Sequence, residues 1–376
     1  MRVSPKTLWI FVRVADRDGV AGWGEATLGD PHGHAELAAA IGRLARMPLG
    51  ARLAAPVDLI ADPAAAALAR SLPGAAAVSA LDQALNDVAA RREGVPLAQR
   101  LGTPARATVP LYANINRRTL DRAPAGFAAS ARTAQAAGFA AFKIAPFDGV
   151  TPAVAATPEG RRLIEAGLAR AAAVRAEIGP HAQLMIDCHW RLTEAAALDV
   201  LTAAAGLDLH WLECAVPETP ENLPAMRRIR EAANRSGVLT AGCETMIGVA
   251  GFAPFLDAGV YDVIMPDVKY VGGLQELRRV AEAAAAAGVL CSLHNPSGPV
   301  CHAHSIQASA AIGGPARLEH QFDESPLFAG LVDAPPRDFV SPEPSWRMGA
   351  GLGIALDAMT IRAHAEAWPS APAAAS

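Results

Sequence analysis

Charged residues follow short apolar segments at nearly constant spacing through the middle of this chain. Asp187 in LMIDCHW, Glu213 in HWLECAV and Glu244 in LTAGCET are separated by 26 and 31 residues. Asp267 in YDVIMPD and His294 in VLCSLHNPSGP follow after 23 and 27 more. In a parallel barrel, the carboxyl ends of all strands lie on one face, where such enzymes carry their chemistry. The spacing therefore predicts that these side chains converge on one pocket.

From about residue 109 the chain alternates apolar strand segments with Ala-rich helical segments. Eight strands are predicted, starting near residues 110, 140, 183, 209, 239, 261, 289 and 317. The last one contains Glu319 in ARLEHQ, 25 residues after His294. Such alternation indicates an α/β fold with a parallel sheet and right-handed crossovers. Eight strands favour a closed barrel, and a doubly wound open sheet is the alternative.

The two ends of the chain have different patterns. TLWIFVRVADRDGVAGWGEAT predicts a hairpin with its turn at Asp18-Gly19, and residues 34–103 are predicted to be mostly helical. We divide the chain into an N-terminal α+β domain (1–108), a barrel domain (109–324) and a C-terminal segment (325–376). The Pro-rich C-terminal segment is expected to return to the N-terminal domain.

Composition excludes several classes of function. The net charge of −4 gives no basic footprint for nucleic acid. Charged residues interrupt the Ala-rich runs, so no transmembrane segment is predicted, and the N-terminus does not resemble a signal peptide. Five cysteines without a CxxC motif suggest reduced thiols and a cytoplasmic location.

Asp187, Glu213 and Glu244 end three consecutive predicted strands, and together they predict a metal site. Carboxylate oxygens are the ligands of hard divalent cations such as Mg²⁺, which leaves coordination positions to water and substrate. Without a cation, three crowded carboxylates would repel and raise one another's pKa values. The alternative is that each is a helix N-cap or a solvated loop residue, which is less plausible for three consecutive units.

A cysteine lies beside each of these carboxylates, so a zinc site must be considered. The three are Cys188, Cys214 and Cys243. Neighbouring residues of a strand point to opposite faces, so these cysteines are expected to face the surrounding helices as small buried residues.

Two histidines and a lysine complete the candidate site. His189 lies two residues after Asp187 and should face the same pocket. His294 follows an apolar run, and Asp267 ends the preceding strand; a carboxylate beside an imidazole raises its basicity, as in a general base. Lys143 in AAFKIAP ends the second strand and is predicted either to bind a substrate carboxylate or to act as a second base, unless it only extends towards solvent. Lys269 is interpreted as a loop residue, and His302 and His304 as packing or surface residues.

Carboxylates, a divalent cation and flanking bases together suit proton abstraction next to a carboxylate group. The α-proton of a carboxylate anion is very weakly acidic. Coordination to a metal and hydrogen-bond donors stabilise the resulting enediolate, which lets an ordinary base remove the proton.

The chain resembles the enolase superfamily, mandelate racemase subgroup, over nearly its whole length. The residues that carry this resemblance are WGEAT, ALDQALNDVAARREGVPLAQRLG, FKIAP, DCHWR, WLEC, GCE, PDVKYVGG, HNPSGP, LEH and GAGLGIALD. The resemblance implies an α+β capping domain over a (β/α)₇β modified TIM barrel. It also implies that Asp187, Glu213 and Glu244 bind Mg²⁺ and that His294 and Asp267 form a general-base dyad. A further implication is that the protein is a homo-oligomer.

The Asp187-x-His189 pattern is similar to that of galactonate dehydratase and related acid-sugar dehydratases. That resemblance implies that His294 removes the proton at carbon 2 and that His189 protonates the departing 3-hydroxyl. Glu319 would hydrogen-bond the enediolate. The product would be a 2-keto-3-deoxy acid of an aldonate or aldarate.

The chain departs from the family pattern at three places. Strand two has Lys143-Ile144-Ala145, so the second lysine of the Lys-x-Lys motif is absent. Cys214-Ala215 replaces the usual Glu-Pro after the metal ligand, and little sequence precedes the first strand of the capping domain. The loop GDPHGHAE, with His32 and His34, is the remaining capping-domain candidate for substrate contacts.

Two other functions remain open at the level of sequence. A racemase or epimerase of a 2-hydroxy or amino acid would use Lys143 and His294 on opposite faces of the α-carbon. A non-catalytic paralogue would keep the fold and bind a metabolite. His189 distinguishes the first from a dehydratase, because racemisation needs no acid near a 3-hydroxyl.

Overall fold

The structure is a computed structural model that describes residues 1–4, 7–46, 59–314, 316–333 and 338–365. Its N-terminal part begins with the predicted hairpin, in which strands β1 (Phe11–Ala15) and β2 (Ala21–Glu25) pair antiparallel. Gly19 in the turn has a φ of 85°, a left-handed conformation that glycine adopts without steric cost. The described helices that follow are α1 (His34–Leu44), α2 (Pro63–Leu68), α3 (Leu72–Glu93) and α4 (Leu97–Leu101). Residues 47–58 of this predicted helical stretch lie outside the described residues.

Eight parallel strands form the second part, and each begins within two residues of its predicted start. They are β3 (Leu111–Asn114), β4 (Ala141–Ile144), β5 (Gln183–Asp187), β6 (Leu209–Glu213), β7 (Leu239–Gly242), β8 (Val263–Ile264), β9 (Leu290–Cys291) and β10 (Leu318–Gln321). From β3 to β9 each strand pairs with the next in chain order, and β10 pairs with β3. The Glu319 N–H donates to the Leu293 carbonyl just beyond β9 at 3.3 Å. The sheet therefore curls round on itself as a barrel rather than remaining an open doubly wound sheet.

Helices connect successive barrel strands on the outside. They are α5 (Pro124–Ala136), α6 (Pro152–Ala155), α7 (Pro158–Ile178), α8 (Glu194–Ala203), α9 (Leu223–Arg235), α10 (Gly248–Ala258), α11 (Leu274–Ala286) and α12 (Pro299–Ile312). Thr157 and Thr193 accept hydrogen bonds from N–H groups in the first turns of α7 and α8, which fixes where these helices begin. Seven helical connections between eight strands confirm the predicted (β/α)₇β arrangement.

The chain beyond β10 returns to the N-terminal part. Its described elements are α13 (Leu327–Gly330), β11 (Val332–Asp333), β12 (Ala355–Leu356) and α14 (Ala358–His364). The Leu352 N–H donates to Asp87 Oδ1 of α3 at 2.9 Å, and the Leu97 N–H donates to the Gly351 carbonyl at 2.9 Å. These bonds hold the C-terminal segment against helices α3 and α4. No helix in the described ranges is both long and apolar enough to cross a membrane.

The barrel interior is a layer of apolar side chains beneath a layer of charged ones. The apolar layer consists of Tyr112, Ala141, Met185, Trp211, Ala241, Val263 and Met265. Side chains two residues apart in a strand point to the same face, so Lys143, Asp187 and Glu213 extend from the same side of their strands as Ala141, Met185 and Trp211. The alternation of each strand therefore positions the charged layer at the carboxyl ends, above a dry apolar layer.

The capping domain packs on the long helix α3, most of whose residues are buried. Strand β2 lies directly against it: an added Cβ at Gly24 would lie 1.9 Å from the Ala80 carbonyl oxygen, and one at Gly22 would lie 2.2 Å from the Ala84 carbonyl oxygen. Glycine at both positions lets strand and helix approach more closely than any side chain would allow.

Gly24→Ala should destabilise the protein by about 3 kcal/mol, because a methyl group at this contact forces strand and helix apart. Urea denaturation would measure the free energy of unfolding. Gly206→Ala is the matched control, since no atom lies within 4 Å of the added Cβ there. Equal stability of the two variants would contradict the close packing of β2 on α3.

Candidate active site

A cavity of about 550 Å³ opens at the carboxyl ends of the barrel strands, beneath the capping domain. Six of the predicted site residues line it: Lys143, Asp187, His189, Glu244, His294 and Glu319. The remaining two, Glu213 and Asp267, are fully buried directly behind this wall. Thr27, Gly29, Asp30 and Leu72 of the capping domain also line it. All eight predicted residues are thus brought to one place.

Asp187, Glu213 and Glu244 each offer a carboxylate oxygen, and the three atoms lie within 4.8 Å of one another. Burial raises the pKa of Glu213 to about 8, with Asp187 and Glu319 adding to the rise against the opposing charge of Lys143. Burial and the Asp187 and Glu213 charges raise the pKa of Glu244 well above its usual value. Crowding of negative charge in a buried place, as the sequence predicted, makes the full ionisation of this cluster unfavourable.

An oxygen-only donor set of three carboxylates fits a hard divalent cation. The positive charge of such a cation would relieve the repulsion that raises the pKa values of Glu213 and Glu244. The neighbouring cysteines do not change this donor set. Cys188, Cys214 and Cys243 are buried free thiols whose pKa values burial raises well above the usual one, so they stay protonated.

Cys214 differs from its predicted orientation. The sequence predicted that its side chain faces the surrounding helices, but its Sγ lies 3.9 Å from Glu244 Oε2, within the carboxylate cluster. The reason is the backbone: Cys214 has a φ of 46°, so the regular alternation of β6 ends at Glu213.

Lys143 is a buried cation between two carboxylates. Its Nζ lies 2.6 Å from Glu213 Oε1 and 2.9 Å from Glu319 Oε1. Burial alone would lower the pKa of Lys143, but the Glu213 and Glu319 charges raise it well above its usual value. A lysine that stays protonated has no lone pair with which to accept a proton. Lys143 is therefore a counter-charge and a hydrogen-bond donor in this geometry, not a base.

His294 and Asp267 form the predicted dyad. His294 Nδ1 lies 2.7 Å from Asp267 Oδ2, and His294 Nε2 lies 3.4 Å from Glu244 Oε2. Burial lowers the pKa of His294, and the hydrogen bond to Asp267 partly offsets this. A neutral imidazole that donates Nδ1–H to Asp267 leaves its Nε2 lone pair directed at the cavity.

Lys269 supports this dyad from the loop position that the sequence predicted. It is buried, and its Nζ lies 2.6 Å from Asp267 Oδ2. The same ammonium donates to Ser297 Oγ, three residues beyond His294. Burial raises the pKa of Asp267, but the charge of Lys269 lowers it. The resulting pKa lies below the usual value. Lys269 lies two residues after Asp267, and this spacing was the signal in the sequence that the two side chains share a face.

Glu319 is held by hydrogen bonds from β3 and from the segment that follows β9. Asn114 Nδ2 donates to its Oε1 at 2.7 Å, and the Asn295 N–H donates to its Oε2 at 3.0 Å. Burial opposes ionisation, but Lys143, His294 and these donors lower the pKa of Glu319 to about 2. Glu319 is therefore a carboxylate throughout the physiological range.

An unpredicted residue, Glu25 of β2, joins the capping domain to the barrel. Its carboxylate accepts hydrogen bonds from the N–H groups of Gly298 at 2.7 Å and Cys301 at 2.9 Å, at the N-terminus of α12. Helix N-termini favour negative charge because their first N–H groups have no partner within the helix. Glu25 thus anchors the segment that follows His294.

The other histidines do not enter the cavity lining. His302 and His304 lie on α12, fully buried, and bond through Nε2 to the carbonyls of Phe339 at 3.2 Å and Trp23 at 2.9 Å. In the loop GDPHGHAE, Gly29 and Asp30 reach the cavity, whereas His32 and His34 are not among its lining residues. Asp30 rather than either histidine is the candidate contact from this loop.

His189 lines the cavity, and its Nε2 lies 2.6 Å from Asp187 Oδ2. His189 and Trp190 have φ values of 48° and 57°, and Cys243, before Glu244, has 72°. With Cys214, four non-glycine residues in the left-handed region flank the three carboxylates. Such conformations cost about 1 kcal/mol or more each and persist where the surrounding structure imposes them. The site is held by strained turns, not by relaxed loops.

Two family models cover most of the chain. The model of the mandelate racemase/muconate lactonizing enzyme N-terminal domain matches residues 2–102, and the enolase C-terminal domain-like model matches residues 126–360. The chain therefore belongs to the enolase superfamily, mandelate racemase subgroup, and is an enzyme.

Curated relatives and solved structures agree with this assignment. D-gluconate dehydratase of Thermoproteus tenax is 31% identical over 79% of this chain, which spans 58% of that relative's length. D-xylonate dehydratase of Haloferax volcanii is 27% identical over 95% of this chain and 85% of its own. A candidate L-alanine-DL-glutamate epimerase from Burkholderia xenovorans strain LB400, solved with magnesium and fumarate, has a TM-score of 0.80 at 24% identity and covers 96% of this chain and 95% of that one. At that identity the structural likeness shows the fold alone.

The raised pKa of Glu213 predicts a pH-dependent effect of Glu213→Gln in the metal-free protein. Between pH 6 and 8 folded Glu213 binds a proton that the unfolded chain releases, so its contribution to stability is lost as the pH rises through this window. Glutamine is neutral at every pH, so the variant does not undergo this loss of stability. Its free energy of unfolding relative to wild type should rise by roughly 2 kcal/mol from pH 6 to pH 8.

Urea denaturation in the presence of EDTA would measure this difference. Asp262→Asn is the matched control: despite burial, hydrogen bonds from Asn234 and Thr240 and the Arg230 charge hold the pKa of Asp262 below its usual value, so it is ionised in both states and its effect should not vary across the window. A pH-independent effect of Glu213→Gln would contradict the crowded-carboxylate description.

Proposed function

We propose that this protein is a Mg²⁺-dependent dehydratase of a sugar acid, an aldonate or an aldarate, that forms a 2-keto-3-deoxy acid. The observation that carries the proposal is the placement of a neutral-base candidate, His294, and an acid candidate, His189, on one cavity with a carboxylate cluster. The names of the curated relatives, D-gluconate and D-xylonate dehydratase, support the same reaction class.

Asp187, Glu213 and Glu244 would hold the cation. When bound, Mg²⁺ would supply positive charge that makes the substrate's α-proton more acidic. The magnesium in the related Burkholderia structure supports this choice of metal. Lys143 and Asn114 add hydrogen-bond donors on the side of Glu319, where a substrate carboxylate gains negative charge as the proton leaves.

His294 removes the proton at carbon 2 through its Nε2 lone pair. Asp267 stays ionised, fixes the tautomer with Nδ1 protonated and stabilises the imidazolium that forms. Lys269 keeps that carboxylate charged. The electron pair of the broken C2–H bond first passes into the enediolate of the substrate carboxylate and then, as the 3-hydroxyl leaves, becomes the second bond between carbons 2 and 3.

His189 donates a proton to the hydroxyl group on carbon 3, which leaves as water. The resulting enol takes up a proton at carbon 3 and releases the proton of its hydroxyl group on carbon 2, which gives the 2-keto acid, so the substrate loses one water in total. The hydrogen bond between His189 Nε2 and Asp187 Oδ2 fixes the position of the imidazole beside the cavity.

The geometry disfavours racemisation by Lys143 and His294. A second base must be unprotonated in one direction of that reaction, and Lys143 is paired with two carboxylates that keep its proton. A non-catalytic metabolite-binding role is disfavoured because the complete set of acid, base and metal-ligand candidates is assembled at one cavity.

The substrate would be found by assaying purified protein with Mg²⁺ against aldonic and aldaric acids, with 2-keto-3-deoxy products detected as semicarbazones. A hit names the substrate. Turnover of none of these acids, with α-proton exchange in D₂O, would replace dehydration by racemisation; no exchange either would leave metabolite binding.

His189→Asn should lower dehydration by about 10²–10⁴-fold but keep exchange of the substrate α-proton in D₂O, because only the acid is removed. His294→Asn should abolish both, because the base is removed. Mass spectrometry of substrate and product would measure exchange and turnover. His181→Asn, at an exposed position, is the control. Full dehydration by the His189 variant would rule out its proposed role.

Removal of Mg²⁺ should abolish turnover and lower stability. Ligand binding to the folded state alone stabilises by about 2.7 kcal/mol at 100 times the dissociation constant. This gain should be larger at pH 8 than at pH 6, since Mg²⁺ must displace the proton that the raised pKa keeps on Glu213. Thermal unfolding with EDTA or Mg²⁺ at both pH values would test this; an equal or smaller gain at pH 8 would contradict it.

A further inference from the structure

Glu218 is a carboxylate that the reaction above does not use, although it lies directly behind the candidate metal site. It belongs to the loop between β6 and α9, five residues after Glu213. Its Oε1 accepts hydrogen bonds from the Cys243 N–H at 2.6 Å and from the Tyr261 hydroxyl at 2.7 Å. Cys243 directly precedes Glu244, so Glu218 contacts the turn that carries a metal-ligand candidate.

The end of β7 is shaped around this carboxylate. A Cβ at Gly242 would lie 2.4 Å from Glu218 Oε1 and 2.4 Å from Cζ of Tyr261. Only glycine at position 242 allows the carboxylate and the phenol to approach the strand this closely. The contact is therefore built into the strand end and is not a chance meeting of surface groups.

The second oxygen of Glu218 is directed towards the other side of the site. Glu218 Oε2 and Trp190 Nε1 are both buried, and neither has a hydrogen bond of normal geometry. Burial raises the pKa of Glu218, and the Cys243 N–H, the Tyr261 hydroxyl and the Trp190 indole act in the opposite direction. Buried polar groups normally have a hydrogen-bond partner, so the Glu218 Oε2 acceptor and the Trp190 Nε1–H donor are the natural partners of each other.

Glu218 thus contacts residues on either side of the metal-ligand cluster, and the backbone there is strained. Cys243 and Trp190 both have positive φ values. The Trp190 N–H donates to the Cys214 carbonyl at 2.6 Å, which ties a third left-handed residue, next to Glu213, to the same set. These turns would relax if nothing on the side away from the cavity held them.

We propose that Glu218 is a positioning residue that holds the Cys243–Glu244 turn and the His189–Trp190 turn in the arrangement needed by the metal ligands and the proton donor. This inference rests on the proposed function for its catalytic meaning. The hydrogen bonds of Glu218 exist in the protein without metal or substrate, so its structural content can be tested separately.

Glu218→Gln is the sharpest test, because glutamine has the same shape but only one acceptor oxygen. Cys243 N–H and Trp190 Nε1–H are both pure donors, so the amide N–H₂ of the variant must face one of them. Loss of a group that orients metal ligands typically weakens metal binding 10–100-fold. We expect a rise of at least 10-fold in the Mg²⁺ dissociation constant by calorimetry, with a lower kcat in the same variant.

Asp262→Asn is the matched control for loss of stability. The Asp262 carboxylate also accepts from a backbone N–H of β7, that of Thr240 at 2.8 Å, and from a hydroxyl, that of Thr240 at 3.1 Å. It lies at the opposite end of the barrel from the cavity. If Glu218 only stabilises the fold, both variants should lose stability and bind Mg²⁺ as wild type does.

The indole N–H resonance of Trp190 gives a readout that needs no metal. It would be assigned in the ¹H–¹⁵N spectrum by its loss in Trp190→Phe. We expect Glu218→Gln to shift this resonance and Asp262→Asn to leave it in place. If wild-type protein bound no Mg²⁺, the proposed function would fail, and this resonance alone would decide the role of Glu218.

Unchanged Mg²⁺ affinity in folded Glu218→Gln, or an unmoved Trp190 resonance, would overturn the proposal. If that variant does not fold, Tyr261→Phe takes its place, because it removes one donor from Oε1 without leaving a buried charge. A threefold or greater loss of Mg²⁺ affinity in Tyr261→Phe supports the positioning role, and wild-type affinity overturns it.

Discussion

The ammonium group of Lys143, enclosed by the carboxylates of Glu213 and Glu319, is the interaction on which the site depends. An apolar layer that includes Tyr112 and Trp211 lies beneath it, so the negative charges are not screened from that side. Attraction between unlike charges is strong in such surroundings, and so is repulsion between like ones. One cation keeps Glu319 ionised but does not do the same for Glu213. The remaining excess of negative charge is what a divalent metal would balance.

The charged layer is held by contacts from outside the barrel as well as by the strands. Glu25 from the capping domain binds the N-terminus of α12, just after the segment that carries His294. Glu218 holds the turn before Glu244. Left-handed residues beside all three metal-ligand candidates store strain that these buried carboxylates offset. The candidate base, the candidate acid and the metal-ligand candidates are thereby kept from relaxing in the absence of substrate.

Much of the site could be predicted because strand geometry is periodic. Residues two apart share a face and parallel strands end on one side, so the spacing of Asp187, Glu213 and Glu244 predicts their convergence. Glu218 escaped prediction because it lies beyond the end of its strand. Lys269 was correctly placed in the loop after Asp267, but its ion pair with Asp267 was not predicted. Cys214 was placed wrongly among the helices because its left-handed backbone breaks the alternation. Periodicity is informative only while the chain stays extended.

The sequence by itself determined the number and order of the strands, the (β/α)₇β barrel and the set of residues at its carboxyl end, because these follow from hydrophobic pattern and spacing. Only the tertiary structure decided the protonation states and partners. The ammonium of Lys143 lies between two carboxylates, and Asp30 rather than His32 lines the cavity. Such outcomes depend on distances between groups far apart in the chain and on their burial, which no local pattern encodes.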